Sequence, residues 1–229
     1  MPAQFANPQI ISNGLVLCLD AGDVMSISAS GTTWNDMSFF NNSGSLLGGT
    51  FYTSSNNGAV FFDGSDDRVY INNSDSINFS SSQQYTVMAM IYPYGGGTTW
   101  HGIFSKGNTQ QYALTINSAG AYLHYETNQS GYGPLDSSVN TIIYNTWQHV
   151  AVRYNGSTKT TWRNGVIVAT QVAPGLSSTS NTEELRIGEG NNGESYRGLI
   201  SVVHDYNRAL SDLEIQQNYN ALKSRFGLS

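Results

Sequence analysis

The acidic residues are the first groups in this 229-residue sequence that could do chemistry, since two carboxylates on one face of a strand can act as general acid and base. The sequence has six glutamates: Glu126, Glu183, Glu184, Glu189, Glu194 and Glu214. Adjacent Glu183 and Glu184 would point to opposite faces of a strand. Glu214 lies three residues after Ser211, the spacing of a helix capping box. We therefore expect no catalytic residues and a protein that is not an enzyme.

Histidine and cysteine give no further support for catalysis. The four histidines show neither a metal-binding spacing nor a Ser-His-Asp order, and His149 reads as a structural imidazole within a strand. The single cysteine, Cys18, excludes an internal disulfide. It lies in the apolar run Leu15–Leu19, which predicts a buried strand residue rather than a reactive thiol.

The amino-acid composition and the apolar pattern argue against several classes of protein. Charged residues make up 11% and aromatic residues 12%, and ten Lys and Arg against sixteen Asp and Glu give a net charge of −6. The absence of a basic cluster argues against a nucleic-acid partner. No apolar run is long enough for membrane insertion. The first residues lack the basic and apolar regions of a signal peptide.

Short strand patterns separated by Gly, Asn, Ser and Asp predict an all-β sandwich. Tyr85–Tyr92 alternates so that Val87, Ala89 and Ile91 share one face. The pair Asn164-Gly165 between two apolar runs is a strong hairpin signal. Only residues 211–226 have a helical pattern. We expect an extended N-terminal arm over residues 1–13 and one domain over residues 14–229.

Eight segments of the sequence form a recognisable set in this order: 14–22, 34–38 with 41–44, 60–71, 103–107, 145–152, 162–165, 185–188 and 206–211. Together they resemble the LamG-like, concanavalin A-like jelly-roll family. The resemblance implies two antiparallel sheets packed face to face, with a short closing helix against one of them.

The resemblance also implies a calcium site. Relatives bind Ca²⁺ through the Asp of an Asn-Asp-x-Ser segment and carbonyls in the run that follows, here Asp36, Asn41 and Gly44. At a third position, where many relatives carry Asp, this sequence has Ser201. The alternative is that Asp36 caps a turn through backbone N–H groups. Three further acids, Asp63, Asp66 and Asp67, are interpreted as a solvated turn, and the alternative is a bound cation that relieves their repulsion.

A glycan site would combine an aromatic platform with amide and carboxylate groups. The loops offer four aromatic candidates and three polar ones; a surface that binds another protein would use the same residue types. The predicted ligand-binding residues are Tyr94, Trp100, Tyr132, Tyr196, Asn191, Asn192 and Glu194.

The low-charge composition, rich in Ser, Thr, Asn and Gly, also resembles phage structural proteins that carry this domain. We therefore predict a phage virion surface protein, of the capsid-decoration or fibre type, with lectin-like binding. It would assemble in the host cytoplasm and be released by lysis. Its partners would be capsid or tail proteins and a host cell-surface glycan. The alternative is a free carbohydrate-binding module of a bacterial surface or secreted system.

The N-terminal arm is the predicted anchor to the virion, because Phe5, Ile10 and Ile11 are apolar and Pro2 and Pro8 favour an extended form. The alternative is a frayed chain end. The sequence leaves open the identity of the glycan, the position on the particle and whether the protein forms a homo-oligomer.

Overall fold

The computed structural model describes residues 8–79, 83–108, 111–127, 132–176 and 181–229, without the side chains of Asn56 and Asn192. Within these residues the chain forms sixteen strands and one α-helix. The strands are β1 (Leu15–Asp20), β2 (Thr33–Trp34), β3 (Gly44–Leu47), β4 (Phe51–Thr53), β5 (Ala59–Asp63), β6 (Arg68–Ile71), β7 (Tyr85–Pro93), β8 (Trp100–Lys106), β9 (Ala113–Asn117), β10 (Tyr122–Glu126), β11 (Leu135–Asp136), β12 (Gln148–Tyr154), β13 (Thr158–Arg163), β14 (Val166–Val172), β15 (Leu185–Ile187) and β16 (Arg197–Tyr206).

The strands form two antiparallel sheets. The first sheet has the order β14-β13-β12-β7-β16-β5-β4, and β1 pairs with β16. The second sheet has the order β11-β10-β9-β8-β15-β6-β3-β2. The predicted all-β jelly-roll sandwich is confirmed. At the predicted hairpin, Asn164 and Gly165 have φ values of 49° and 74°, as a two-residue type I′ turn requires.

The main core lies between the sheets. Val87, Ala89 and Ile91 of β7 are buried there, as their alternation predicts, together with Leu114 and Leu123 of the second sheet. The opposite face of β7 is buried as well, because the C-terminal segment covers it.

The helix, α1 (Asp212–Leu222), begins at the predicted capping box. Ser211 Oγ accepts a hydrogen bond from Glu214 N, and Ser211 N donates to Glu214 Oε2. Arg208 donates two hydrogen bonds to the Glu214 carboxylate, at 2.6 and 3.0 Å. Ile215 packs with Met88 on the outer face of the first sheet. A 3₁₀ turn over Lys223–Phe226 follows α1.

The described part of the predicted arm lies against α1. Gln9 O accepts a hydrogen bond from Gln217, Ile11 N donates to Asn218 Oδ1, and Ile11 O accepts from Tyr206. The side chain of Ile11 joins the cluster beneath the helix. Pro2 and Phe5 lie outside the described residues.

In the described part of the chain, no helix combines the length and the apolar character that crossing a membrane demands.

Candidate functional site

Polar and aromatic side chains share the outer face of the second sheet. On β10, Leu123 and Tyr125 are buried in the core, so alternation places Tyr122, His124 and Glu126 on the opposite face. Trp100 joins this face, because its ring centroid lies 4.6 Å from that of His124 and 6.3 Å from that of Tyr122.

A loop folds over this face and closes one side of a pocket. Glu189 and Ser195 form an isolated β-bridge, and residues 191–193 make a 3₁₀ turn between them. Glu194 O accepts a hydrogen bond from Gly102 N of β8, at 2.9 Å. A Cβ at position 102 would lie 1.8 Å from Gly190 N. The loop can therefore approach the sheet only because residue 102 is glycine.

The pocket between loop and sheet has a volume of about 240 Å³. Its lining residues are half-buried and combine one indole, one imidazole, two carboxylates and one amide: Trp100, His124, Glu126, Glu194 and Asn191.

His124 is held between two carboxylates. Its Nδ1 lies 2.6 Å from Asp136 Oδ1 and its Nε2 lies 3.5 Å from Glu126 Oε2. Burial alone lowers the pKa of His124, but the hydrogen bonds and charges of Glu126 and Asp136 outweigh burial and raise it. The His124 ring therefore fixes both the Glu126 carboxylate and one edge of the aromatic cluster.

Glu194 is the second acid of the pocket. Burial raises the pKa of its carboxyl group, as does the charge of Glu126, while the hydrogen bond from Asn191 N and the charge of His124 act in the opposite direction. Glu194 Oε2 accepts that hydrogen bond at 3.0 Å. Asn191 Oδ1 is buried and has no hydrogen-bond partner among the described residues. The pocket wall thus combines two carboxylate acceptors with the donor groups of the Trp100 indole and the Asn191 amide, a set that suits a ligand rich in hydroxyl groups.

Three of the predicted ligand-binding residues, Trp100, Asn191 and Glu194, meet in this pocket. The sequence analysis missed His124 and Glu126. Their signal was the alternation of Tyr122–Glu126, which places every second residue on the outer face. The side chain of Asn192 lies outside the described residues.

The structure corrects the prediction for Tyr196. The prediction of an exposed aromatic platform is wrong, because Tyr196 has no exposed surface and packs edge-on against Phe62, with ring centroids 5.9 Å apart. The bridge between Glu189 and Ser195 ends the loop one residue earlier, so Tyr196 turns into the core.

Two other predicted aromatic residues lie apart from the pocket. Tyr132 packs against the main core and its hydroxyl donates to Pro174 O at 3.2 Å. Tyr94 lies near Phe61, with a centroid distance of 6.5 Å, and borders a separate groove with Phe51. The structure therefore does not combine them with Trp100 in one site.

The predicted calcium residues do not fit a cation. Asp36 Oδ1 accepts hydrogen bonds from Cys18 N and Ser38 N, and Oδ2 accepts from Ser38 Oγ and Asn42 N, all at 2.7–2.9 Å. Protein donors thus surround both oxygens that a hard cation would need. This geometry suits the alternative role of Asp36 as a turn cap.

Of the other positions in the predicted calcium site, Gly44 and Ser201 are enclosed or occupied, whereas Asn41 is exposed. Gly44 lies in β3, where a Cβ would meet Val69 at 2.4 Å. Asn41 is exposed, with a φ of 56°. Ser201 Oγ donates to Gly58 O and accepts from Arg225.

The acidic turn is only partly solvated, because Asp67 is 2% exposed and its Oδ1 is buried without a hydrogen-bond partner among the described residues. One oxygen from each of Asp63, Asp66 and Asp67 lies within 4.8 Å of the others. Asp67 Oδ2 accepts a hydrogen bond from Asp63 N, and Asp63 Oδ1 accepts one from Ser65 N. These bonds hold the turn between β5 and β6.

Residues 62–216 match the model of a family described as the concanavalin A-like lectin/glucanases superfamily. The chain belongs to this family, which is the one that its sequence segments resemble. Among curated proteins, no sequence matches this chain.

Similar solved structures are binding domains of clostridial toxins. One is the binding domain of Paraclostridial Mosquitocidal Protein 1, with a TM-score of 0.72, 16% identity, and coverage of 94% of this chain and 55% of that one. A second is the binding domain of botulinum neurotoxin DC in complex with SialylT, with a TM-score of 0.69, 13% identity, and coverage of 92% and 52%.

A third similar structure is the same toxin's binding domain in complex with rat synaptotagmin II, with a TM-score of 0.73, 15% identity, and coverage of 93% and 52%. This chain therefore spans about half the length of the structures it matches, and at these identities the likeness shows a shared fold.

Proposed function

We propose that this protein is a non-catalytic, lectin-like protein that binds carbohydrate in the pocket lined by Trp100, Asn191 and Glu194. The observation that carries the proposal is that the loop over residues 189–195 brings an amide and a carboxylate to one side of an aromatic ring. The apolar face of an indole can stack on a pyranose ring while neighbouring acceptors bind its hydroxyl groups.

The amide of Asn191 supports this proposal, because the residue lines the pocket and an amide can donate to or accept from the hydroxyl groups of a sugar. The similar toxin domain in complex with SialylT supports a carbohydrate ligand as a class, since it shares the fold.

The test is a glycan array with wild-type protein, followed by calorimetric titration of the strongest binder. Trp100→Ala should weaken binding by about 1–3 kcal/mol, because it removes the aromatic platform. Tyr94→Ala, which truncates a half-buried aromatic residue far from the pocket, is the matched control and should bind normally. Wild-type protein that binds no glycan, or binding that depends on Tyr94 instead, would contradict the proposal.

We further propose that the protein acts on the surface of a phage virion, as a capsid-decoration or fibre-type component. The polar, weakly charged composition, which resembles that of phage structural proteins, supports this role. Locating the protein in purified particles by mass spectrometry and immunogold labelling would test it. Absence from particles would favour a carbohydrate-binding module of a bacterial surface or secreted system.

A further inference from the structure

The pocket has an unbalanced charge. Among the described residues that line it, two carboxylates, Glu126 and Glu194, face one imidazole, and none is Lys or Arg. His124 is already engaged with Asp136 at 2.6 Å. The nearby ammonium of Lys159 donates to Gly133 O and does not line the pocket. A ligand in the pocket therefore meets a negative wall.

The strongest acceptors of the wall are the carboxylate oxygens of Glu126 and Glu194, beside the donor groups of the Trp100 indole and the Asn191 amide. An ammonium group has three N–H donors and no acceptor, so it matches these carboxylates. An ammonium also binds favourably over an indole, and Trp100 lines the pocket.

We propose that the pocket selects sugars with a free, protonated amino group over neutral and anionic sugars, an inference that rests on the carbohydrate-binding function proposed above. The ammonium would lie between Glu126 and Glu194, and the pyranose ring would stack on Trp100. An anionic sugar would place its carboxylate against Glu126 and Glu194, where like charges repel.

The crowding of the two acids supports this selectivity. The charge of Glu126 and burial both raise the pKa of Glu194. A bound ammonium would favour the ionised form of both acids. Binding should therefore weaken at acidic pH as Glu194 takes up a proton, and at alkaline pH as the sugar amine loses one. His124, Asp136 and Lys159 are the other charged groups around this wall.

The experiment is calorimetric titration with three probes: a glucosamine oligosaccharide, the N-acetylglucosamine oligosaccharide of the same length, and sialyllactose. At the optimum of a pH series, we expect wild-type protein to bind the glucosamine oligosaccharide about tenfold more tightly than its N-acetylated counterpart. Binding of sialyllactose should be weaker still. Added salt should reduce the preference because it screens the charges.

Substitutions in the pocket distinguish the contribution of charge to sugar binding from the contribution of shape. Glu194→Gln and Glu126→Gln should each weaken binding of the free amine far more than binding of the N-acetylated sugar, and so remove most of the preference. Asp75→Asn, an exposed acid elsewhere, should change nothing. Trp100→Ala should weaken both neutral and cationic sugars.

Suppose that wild-type protein binds the N-acetylated sugar or sialyllactose as tightly as the glucosamine oligosaccharide, or more tightly, and that Trp100→Ala loses this binding. That result would overturn the proposed selectivity and leave the proposed function standing. Affinity that a chelator abolishes would also overturn it, since a metal ion would then occupy the acceptors. Failure of every glycan to bind would overturn the proposed function as well.

Discussion

The indole of Trp100 and the imidazole of His124 pack together, with centroids 4.6 Å apart and planes inclined by 50°. His124 is in turn fixed by Asp136 and Glu126. The His124 ring, which these two carboxylates hold in place, therefore supports the aromatic surface of the pocket. The same residues thus set both the charge and the shape of the site.

The His124 ion pairs should make stability depend on pH. The raised pKa of His124 lies above its ordinary value of 6.5. The stabilisation is therefore fully present below about pH 6.5 and is lost as the pH rises through the raised pKa. We expect the difference in unfolding free energy between wild type and His124→Asn, from urea denaturation, to shrink as the pH rises.

Two other histidines do not disturb this comparison. Burial lowers the pKa of His149 to about 3 and that of His204 to about 4. Both residues are present in wild type and variant, so their contributions cancel in the difference. A difference that instead grew with rising pH would show that His124 does not carry its charge in the folded protein.

Gly102 should be essential for the pocket. In Gly102→Ala, the new methyl group would collide with Gly190 N and displace the loop. We expect a loss of about 1–3 kcal/mol of stability and loss of glycan binding. Gly133→Ala is the matched control, because a Cβ there meets nothing within 4 Å. Full binding by Gly102→Ala would mean that the loop does not form part of the site.

Asp36 should stabilise the fold without calcium. Asp36→Asn replaces one carboxylate oxygen by an NH₂ group, which cannot accept from Ser38 or Asn42. We expect a loss of about 1–3 kcal/mol in unfolding free energy, and melting temperatures of both proteins that respond to neither chelator nor added calcium.

Asp75→Asn controls for the loss of one negative charge in the Asp36 experiment. A wild-type melting temperature that rises with calcium, and does so only when Asp36 is present, would restore the calcium site implied by the family resemblance.

The N-terminal segment should matter for both stability and assembly. Deleting residues 2–12 removes the hydrogen bonds that Gln9 and Ile11 make with α1 and Tyr206. We expect a loss of about 1–3 kcal/mol, read as a lower melting temperature. Leu213→Ala, on the exposed side of α1, should have little effect. If this segment also anchors the protein, the deletion should abolish incorporation into particles.

Two other results of the deletion experiment would contradict these expectations. Particles that take up the truncated protein at normal levels would place the anchor on the β-sandwich. An unchanged melting temperature would mean that the contacts of Gln9 and Ile11 contribute nothing measurable.

The sequence by itself determined the features that depend on near neighbours in the chain. Alternation placed Val87, Ala89 and Ile91 in the core, and Ser211 with Glu214 set the start of the helix. Each of these signals acts within a few residues, because strand alternation and helix capping are local geometries.

Tertiary structure alone decided which polar residues meet. Asn191 and Glu194 reach Trp100 because the loop after β15 folds over β8 at Gly102, far away in the sequence. The same bridge that shapes this loop turned Tyr196 inward, although the local sequence reads as an exposed aromatic loop. The physical reason is that pairing between strands distant in the chain sets register, and register decides which face a side chain occupies.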